Sequence, residues 1–298
     1  MSSTESLNPR FADIDSWPTI EAIEAMLEGQ MSAIASIKSQ TLEIAAAAEA
    51  AAARLQKGGR LVYAGAGTSG RVAVQDGVEL GPTFGWPTER LVYLMAGGVD
   101  ALIHSAEGAE DDADEAREQI RKSGIGAQDV VIGVAASGRT PFTIATLDEA
   151  NRAGALTIGI ANNPETGLLQ AARHGLLAAT GSEAIAGSTR MKAGTAQKAV
   201  LNLLSTAIML RLGRVYRGLM VDMVISNDKL LNRAFGIVRA LSNCTEAMAI
   251  EAVHLARNDI KTAVLIALGN DPEKAADMLR QHDGILRDAV EALERGAS

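Results

Sequence analysis

Two hundred and ninety-eight residues, 47% hydrophobic and 21% charged, make a chain of ordinary globular composition, long enough for one large α/β domain with an appendage. Aromatic residues amount to 3% and the formal net charge is −8, which disfavours base-stacking grooves for single-stranded nucleic acid and sets a long-range field that repels nucleic acid and anionic membranes. The lone cysteine, Cys244, excludes an internal disulfide framework, and four scattered histidines with no HxH or HxxxH pair argue against a metal centre.

Residues 1–18 read as a polar lead-in ending at Trp17-Pro18. The lead-in lacks the apolar core behind basic residues that a signal peptide carries, and no apolar run reaches the ~18–20 residues of a membrane span. A soluble, cytoplasmic chain is the expectation. From Ile20 to about Leu55 the pattern is helical: Ile20, Ile23, Met26 and Leu27 recur at helical spacing, followed by Met31, Ile34, Ile37 and Ile44. The run Ala45–Ala53, broken by Glu49, strongly favours helix. Gly58-Gly59 marks its end.

A regular alternation follows. Short apolar runs at Arg60–Gly65, Leu91–Met95, Val130–Val134, Leu156–Ile160 and, more weakly, Gly175–Ala179 read as strands. Helix-length stretches separate them. Continuous apolar strands alternating with helices predict a parallel five-stranded sheet covered on both faces, with ligands at the carboxyl ends of the strands. The loops after strands one, three and five are therefore the expected site. From Thr189 onward the pattern is helical. Lys192 to Arg211 forms one long candidate, helix is expected to resume around Leu219–Ala234, and several short helices follow Ser242. The expected organisation is an N-terminal helical segment (1–57), a sheet domain (58–238) and a small helical C-terminal module (239–298).

Two loops carry the chemistry. Gly65-Ala66-Gly67-Thr68-Ser69-Gly70-Arg71 follows the first strand and opens a helix. It matches the GxGxxG dinucleotide pattern formally, but no acidic residue closes the second strand, where a ribose ligand belongs. The hydroxyls of Thr68 and Ser69, beside helix N-terminal N–H groups, suit a single phosphate monoester instead. The third strand ends in a similar device, Ala136-Ser137-Gly138-Arg139-Thr140-Pro141. Ser137 and Thr140 supply hydroxyls there, and Pro141 suits the first turn of a helix. Two such loops on one sheet edge imply one small phosphorylated ligand. Acidic candidates are Glu79, Glu107, Glu110 and Glu183; apolar and turn residues surround Glu79, a half-buried setting suited to a carboxylate that both gives and takes a proton.

These loops, with Glu107-Gly108-Ala109-Glu110-Asp111 and the run from Gly187-Ser188-Thr189-Arg190-Met191-Lys192 to Lys198, resemble the N-acetylmuramic acid 6-phosphate etherases, built on the sugar isomerase (SIS) phosphosugar-binding domain with its flavodoxin-like sheet. The likeness runs from about Gly58 to Lys261-Thr262-Ala263-Val264. It departs around Trp17 to Gln30 and at Val99-Asp100, where an acid directly after the glycines is expected. The resemblance implies cleavage of the D-lactyl ether of a phosphorylated amino sugar, without metal or cofactor. It implies Glu79 and Glu110 as the acid/base pair, and Thr68, Ser69, Ser137, Gly138 and Thr140 around the phosphate. It further implies Glu183 on a sugar hydroxyl, and a homodimer. An aldose–ketose phosphosugar isomerase and a non-catalytic phosphosugar-binding regulator remain as alternatives. A dinucleotide oxidoreductase is weakened by the missing ribose acid.

Overall fold

The computed structural model describes residues 3–104 and 106–296; the outermost residues of the expected lead-in and C-terminal module, Met1, Ser2, Ala297 and Ser298, lie outside the described residues, as does Ser105. Contacts along the chain divide it into two compact units, Met1–Gly77 with Glu89–Ile208, and Val78–Thr88 with Met209–Ser298.

The first unit is built on five parallel strands: β1 (Leu61–Gly65), β2 (Leu91–Met95), β3 (Val130–Val134), β4 (Leu156–Ala161) and β5 (His174–Leu177). They lie in the order β2-β1-β3-β4-β5. Every residue of β1, β3 and β4 is buried, as their unbroken apolar composition requires of strands covered on both faces. Helix α1 (Thr19–Ser36) leads into α2 (Thr41–Leu55). Ile44, Ala47, Ala48, Ala51, Ala52 and Leu55 form the buried stripe of α2, which packs on β3, β4 and β5. Further helices are α3 (Gly67–Val78), α5 (Ala113–Lys122), α6 (Pro141–Arg152), α7 (Gly167–Ala171) and α8 (Lys192–Arg211), while α4 (Leu80–Phe84) falls in the second unit. The predicted strands match the observed ones to within a residue or two. The single helical stretch expected from Ile20 to Leu55 is divided by a 3-10 turn, Ile37–Gln40. The turn brings Gln40 Oε1 to the edge strand, where it accepts the Leu177 N–H at 3.0 Å.

The second unit gathers β6 (Val215–Tyr216), β7 (Leu219–Met220), α9 (Asp228–Ser242), α10 (Glu246–Leu255), α11 (Ile260–Ala267), α12 (Pro272–Gln281) and α13 (Leu286–Gly296). Asn227, Thr245, Asp259 and Asp271 cap α9 to α12 by accepting N–H groups of the first turn. Leu219 begins a strand rather than the expected helix, because Arg217 and Gly218, at φ +48° and +78°, form a two-residue hairpin turn. The segment Val78–Thr88 is anchored here: Arg214 Nη1 donates to the Phe84 and Gly85 carbonyls at 3.1 and 3.2 Å, and its guanidinium lies over Trp86. The compact units thus part at places other than the expected boundaries after residues 57 and 238. The physical reasons are the packing of α2 on the sheet and of α9 on α10 and α11. Among the described residues no helix is long and apolar enough to cross a membrane.

Candidate active site

Strand order reverses between β1 and β3, so the loops leaving these two strands flank the natural crevice of such a sheet. After β1 the chain turns directly into α3. A Cβ on Gly70 would collide with Met95 Sδ and stand 2.8 Å from the Gly65 carbonyl oxygen; one on Gly65 would stand 2.9 Å from Gly70 N and Cα. Two glycines back to back therefore let the helix start against the strand. Thr68 and Ser69 fall in its first turn, among N–H groups without helical partners and at the positive end of the dipole. After β3, Gly138 takes φ +65°, and a Cβ there would overlap Thr166. Ser137 Oγ accepts the Arg139 N–H at 3.1 Å, tightening the turn. Thr140 is the N-cap residue of α6, ahead of Pro141, and its hydroxyl makes no capping bond.

Both loops open on one cavity of about 290 Å³ lined by Thr68, Ser69, Ser137, Thr140 and Glu110. Gly138 is buried and shapes the turn without being part of that lining. Glu110 is exposed, on the turn Ala109–Asp111 between β2 and α5. Neither Lys nor Arg is among the lining residues.

Glu79 departs from expectation. It is exposed, not half-buried, because its neighbours Leu80 and Phe84 take the inward positions of α4. It belongs to the second unit, on the segment held by Arg214. Glu183 also differs. It is 1% exposed, and its two oxygens accept the Lys192 and Ala193 N–H groups, each at 2.9 Å, which caps α8. It lines a separate cavity of about 140 Å³ beside Asn8 and Arg10. Glu183 thus caps a helix while lining a cavity other than the one shared by the two loops.

Two further lining residues were not among the site candidates: Glu5, and Thr189 of the run from Gly187 to Lys198. Glu5 arrives on a strap tied to the sheet edge. Thr4 is buried, Asn163 Nδ2 donates to Thr4 Oγ1 at 3.0 Å and to the Ala136 carbonyl at 2.9 Å, and Gly187 N–H donates to the Thr4 carbonyl at 3.1 Å. A short polar run gives no periodic signal for such a tie; the Asn8-Pro9 turn is its only mark.

Behind α3 lies a buried polar cluster. Asp76, 1% exposed, accepts from Tyr63 Oη at 3.0 Å and Asn202 Nδ2 at 2.8 Å, with Lys198 Nζ at 4.0 Å. Burial pushes the Asp76 carboxyl up, against the opposing pull of its hydrogen bonds from Ser205, Tyr63 and Asn202 and of the Lys198 charge. Burial and the Asp76 charge raise the Tyr93 phenol to about 12. Gly77 allows this packing, since a Cβ there would stand 2.7 Å from the Tyr93 ring and 2.9 Å from the Tyr63 ring.

Comparison with known proteins follows the same lines. The SIS domain profile matches residues 111–207, and that of the glucokinase regulatory protein N-terminal SIS domain matches residues 43–151. An N-acetylmuramic acid 6-phosphate etherase of Streptomyces avermitilis is 43% identical over 98% of this chain and 94% of its own length. Another, of Deinococcus radiodurans, is 44% identical over 99% of this chain and 98% of its own. The chain belongs to the N-acetylmuramic acid 6-phosphate etherase family. Among solved structures, a provisionally assigned phosphosugar isomerase involved in capsule formation from Bacteroides fragilis NCTC 9343 superimposes with a TM-score of 0.53 at 20% identity, covering 67% of this chain and 95% of that one. That likeness speaks for the fold alone. Etherase family membership covers both units, so the segment bearing Glu79 and the helical module fall within the matched length.

Proposed function

We propose that this chain cleaves the D-lactyl ether of N-acetylmuramic acid 6-phosphate, yielding N-acetylglucosamine 6-phosphate and D-lactate. The observation that carries the reading is the full-length likeness to relatives bearing that name. The hydroxyl-lined cavity between the β1 and β3 loops supports it.

An unactivated ether resists direct attack by water. In the open-chain sugar, the carbon 1 aldehyde acidifies the proton on carbon 2. A base removes that proton, the carbon 3–oxygen bond breaks, and lactate leaves with a proton from an acid. Water then adds to carbon 3 of the unsaturated aldehyde and carbon 2 is reprotonated, so the net change is addition of one water. Thr68, Ser69, Ser137 and Thr140 hold the phosphate through hydroxyl and N–H donors, with Gly138 giving the second loop its turn. Glu110, which shares their cavity, takes the carbon 2 proton. Glu79 protonates the departing lactyl oxygen and then activates water.

The enzyme works in the cytoplasm as a homodimer, each site completed by the neighbouring subunit. Support for pairing lies less in α8 than its composition suggests. Ala193, Ala196, Val200, Leu201, Leu204, Ile208 and Met209 are buried within the chain, leaving Leu203 and Leu210 exposed. Helix α1 offers the better face, with Ile20, Ile23, Leu27, Met31 and Ile34 all exposed along one stripe.

The deciding experiment is incubation with N-acetylmuramic acid 6-phosphate in heavy-oxygen, deuterated water. Elimination and addition place deuterium at carbon 2 and heavy oxygen at carbon 3 of the amino sugar, and the lactate keeps its own oxygen. Absence of D-lactate would exclude the etherase; heavy oxygen in the lactate would exclude this route.

A further inference from the structure

The phosphate cavity adjoins a second one of about 360 Å³, and Ala66, Gly67 and Glu110 line both. The cation of the second cavity is Arg71, on α3 just after the first phosphate loop. Its Nε and Nη2 donate to the Ala101 carbonyl at 3.1 and 2.9 Å, and Nη2 donates to the His104 carbonyl at 3.3 Å. These carbonyls orient the guanidinium without neutralising it. Among the described residues no Asp or Glu forms an ion pair with Arg71, Glu107 of the same cavity included.

The proposed substrate has two anionic ends, the phosphate on carbon 6 and the lactyl carboxylate on carbon 3, with the reacting carbons between. The phosphate end meets hydroxyls and N–H groups and no cation. With Nε and Nη2 engaged by the carbonyls, Nη1 is the nitrogen left to donate to a ligand, and a permanently charged guanidinium suits a carboxylate there. We infer that Arg71 holds the lactyl carboxylate, that the second cavity is the lactyl subsite, and that Glu110 stands on the wall between the two anionic ends. The inference rests on the phosphate reading given above. It makes Arg71 a specificity residue, since a phosphosugar without a lactyl group leaves the guanidinium unused.

The test pairs a change in the enzyme with a change in the substrate. Arg71→Gln lowers kcat/KM about ten- to a hundredfold, as expected for loss of a charge-assisted hydrogen bond. Methyl-esterifying the lactyl carboxylate lowers wild-type kcat/KM by a similar factor, and the ester costs Arg71→Gln nothing further. Inhibition by N-acetylglucosamine 6-phosphate, which lacks the lactyl group, stays within about threefold in the variant, because its phosphate contacts are intact. Equal weakening of substrate and of this inhibitor would reduce Arg71 to a brace for its loop and overturn the inference. Undiminished turnover of the ester by the wild-type enzyme would overturn it too, whether or not the variant folds. Ser137→Ala separates the two readings: it weakens substrate and inhibitor alike, and no effect on either would strike at the phosphate site rather than at Arg71.

Discussion

Glu79 and Glu110 can each be neutralised at nearly constant size. Glu79→Gln removes the ionisable group while leaving the cavity between the phosphate loops unchanged. We expect kcat to fall about 10²–10⁴-fold with N-acetylglucosamine 6-phosphate binding kept, measured by lactate release and product inhibition; near-normal turnover would take Glu79 out of the mechanism. Tyr93 supplies a residue-scale prediction about pH. Its folded-state pKa, about 12, lies above the ordinary phenol value of 10.0, so the fold favours the neutral form. The associated stability is complete below pH 10 and is lost as pH rises through the folded value of about 12. Denaturant midpoints at pH 8 and above pH 11 should show the drop, and Tyr93→Phe should make it shallower.

At the scale of elements, the junction of β1 and α3 is the most constrained. Gly70→Ala should destabilise the protein by about 1–3 kcal/mol, because the added methyl meets Met95 and the Gly65 carbonyl in a packed site. Gly236→Ala is the counterpart: nothing lies within 4 Å of a Cβ there, in the middle of α9, and replacing a helical glycine should be neutral or stabilising by up to about 1 kcal/mol. Thermal melts should fall for Gly70→Ala and hold or rise for Gly236→Ala, and equal losses in both would refute the packing argument. The same elements show what the sequence makes legible. Strands β1 to β4 could be read because buried parallel strands are unbroken apolar runs closed by glycine, and the two loops that share a cavity because hydroxyls and glycines recur at two strand ends. The hairpin at Arg217-Gly218 was hidden, since two-residue strands carry no period. The capping role of Glu183 was hidden because sequence cannot tell a carboxylate that caps a helix from one that meets a ligand. Glu5 was hidden by the opposite fault, sitting in a polar run whose anchor, Asn163, is far away in sequence.

At the scale of the whole molecule, the exposed apolar stripe of α1 bears on assembly. Closed two-fold pairing is the commonest assembly, and a helix that leaves five large apolar residues exposed on one stripe is suited to a second copy. Replacing Leu27 and Met31 together by glutamate should convert a dimer into monomers in sedimentation, with activity falling alongside. A wild-type chain that stays monomeric and fully active at all concentrations would defeat the reading, and a dimer indifferent to both substitutions would move the interface elsewhere.

The phosphate cavity without Lys or Arg has a kinetic consequence. The chain carries a formal charge of −8, and the substrate approaches as a polyanion toward a mouth that presents no cation among its lining residues. Encounter is therefore uphill at long range, and mobile ions ease it. The screening length shrinks from about 30 Å at 0.01 M salt to about 8 Å at 0.15 M. Where capture limits the reaction, kcat/KM should climb over that interval while kcat stays level, the reverse of an enzyme that draws its phosphosugar in with a ring of lysines. A steady decline with salt would reveal an attractive field at the entrance. Capture of the phosphate end by such a cavity is left to short-range hydrogen bonding, and the one cation assigned to the substrate, Arg71, waits in the adjoining cavity, so selectivity is exercised after contact and not during approach.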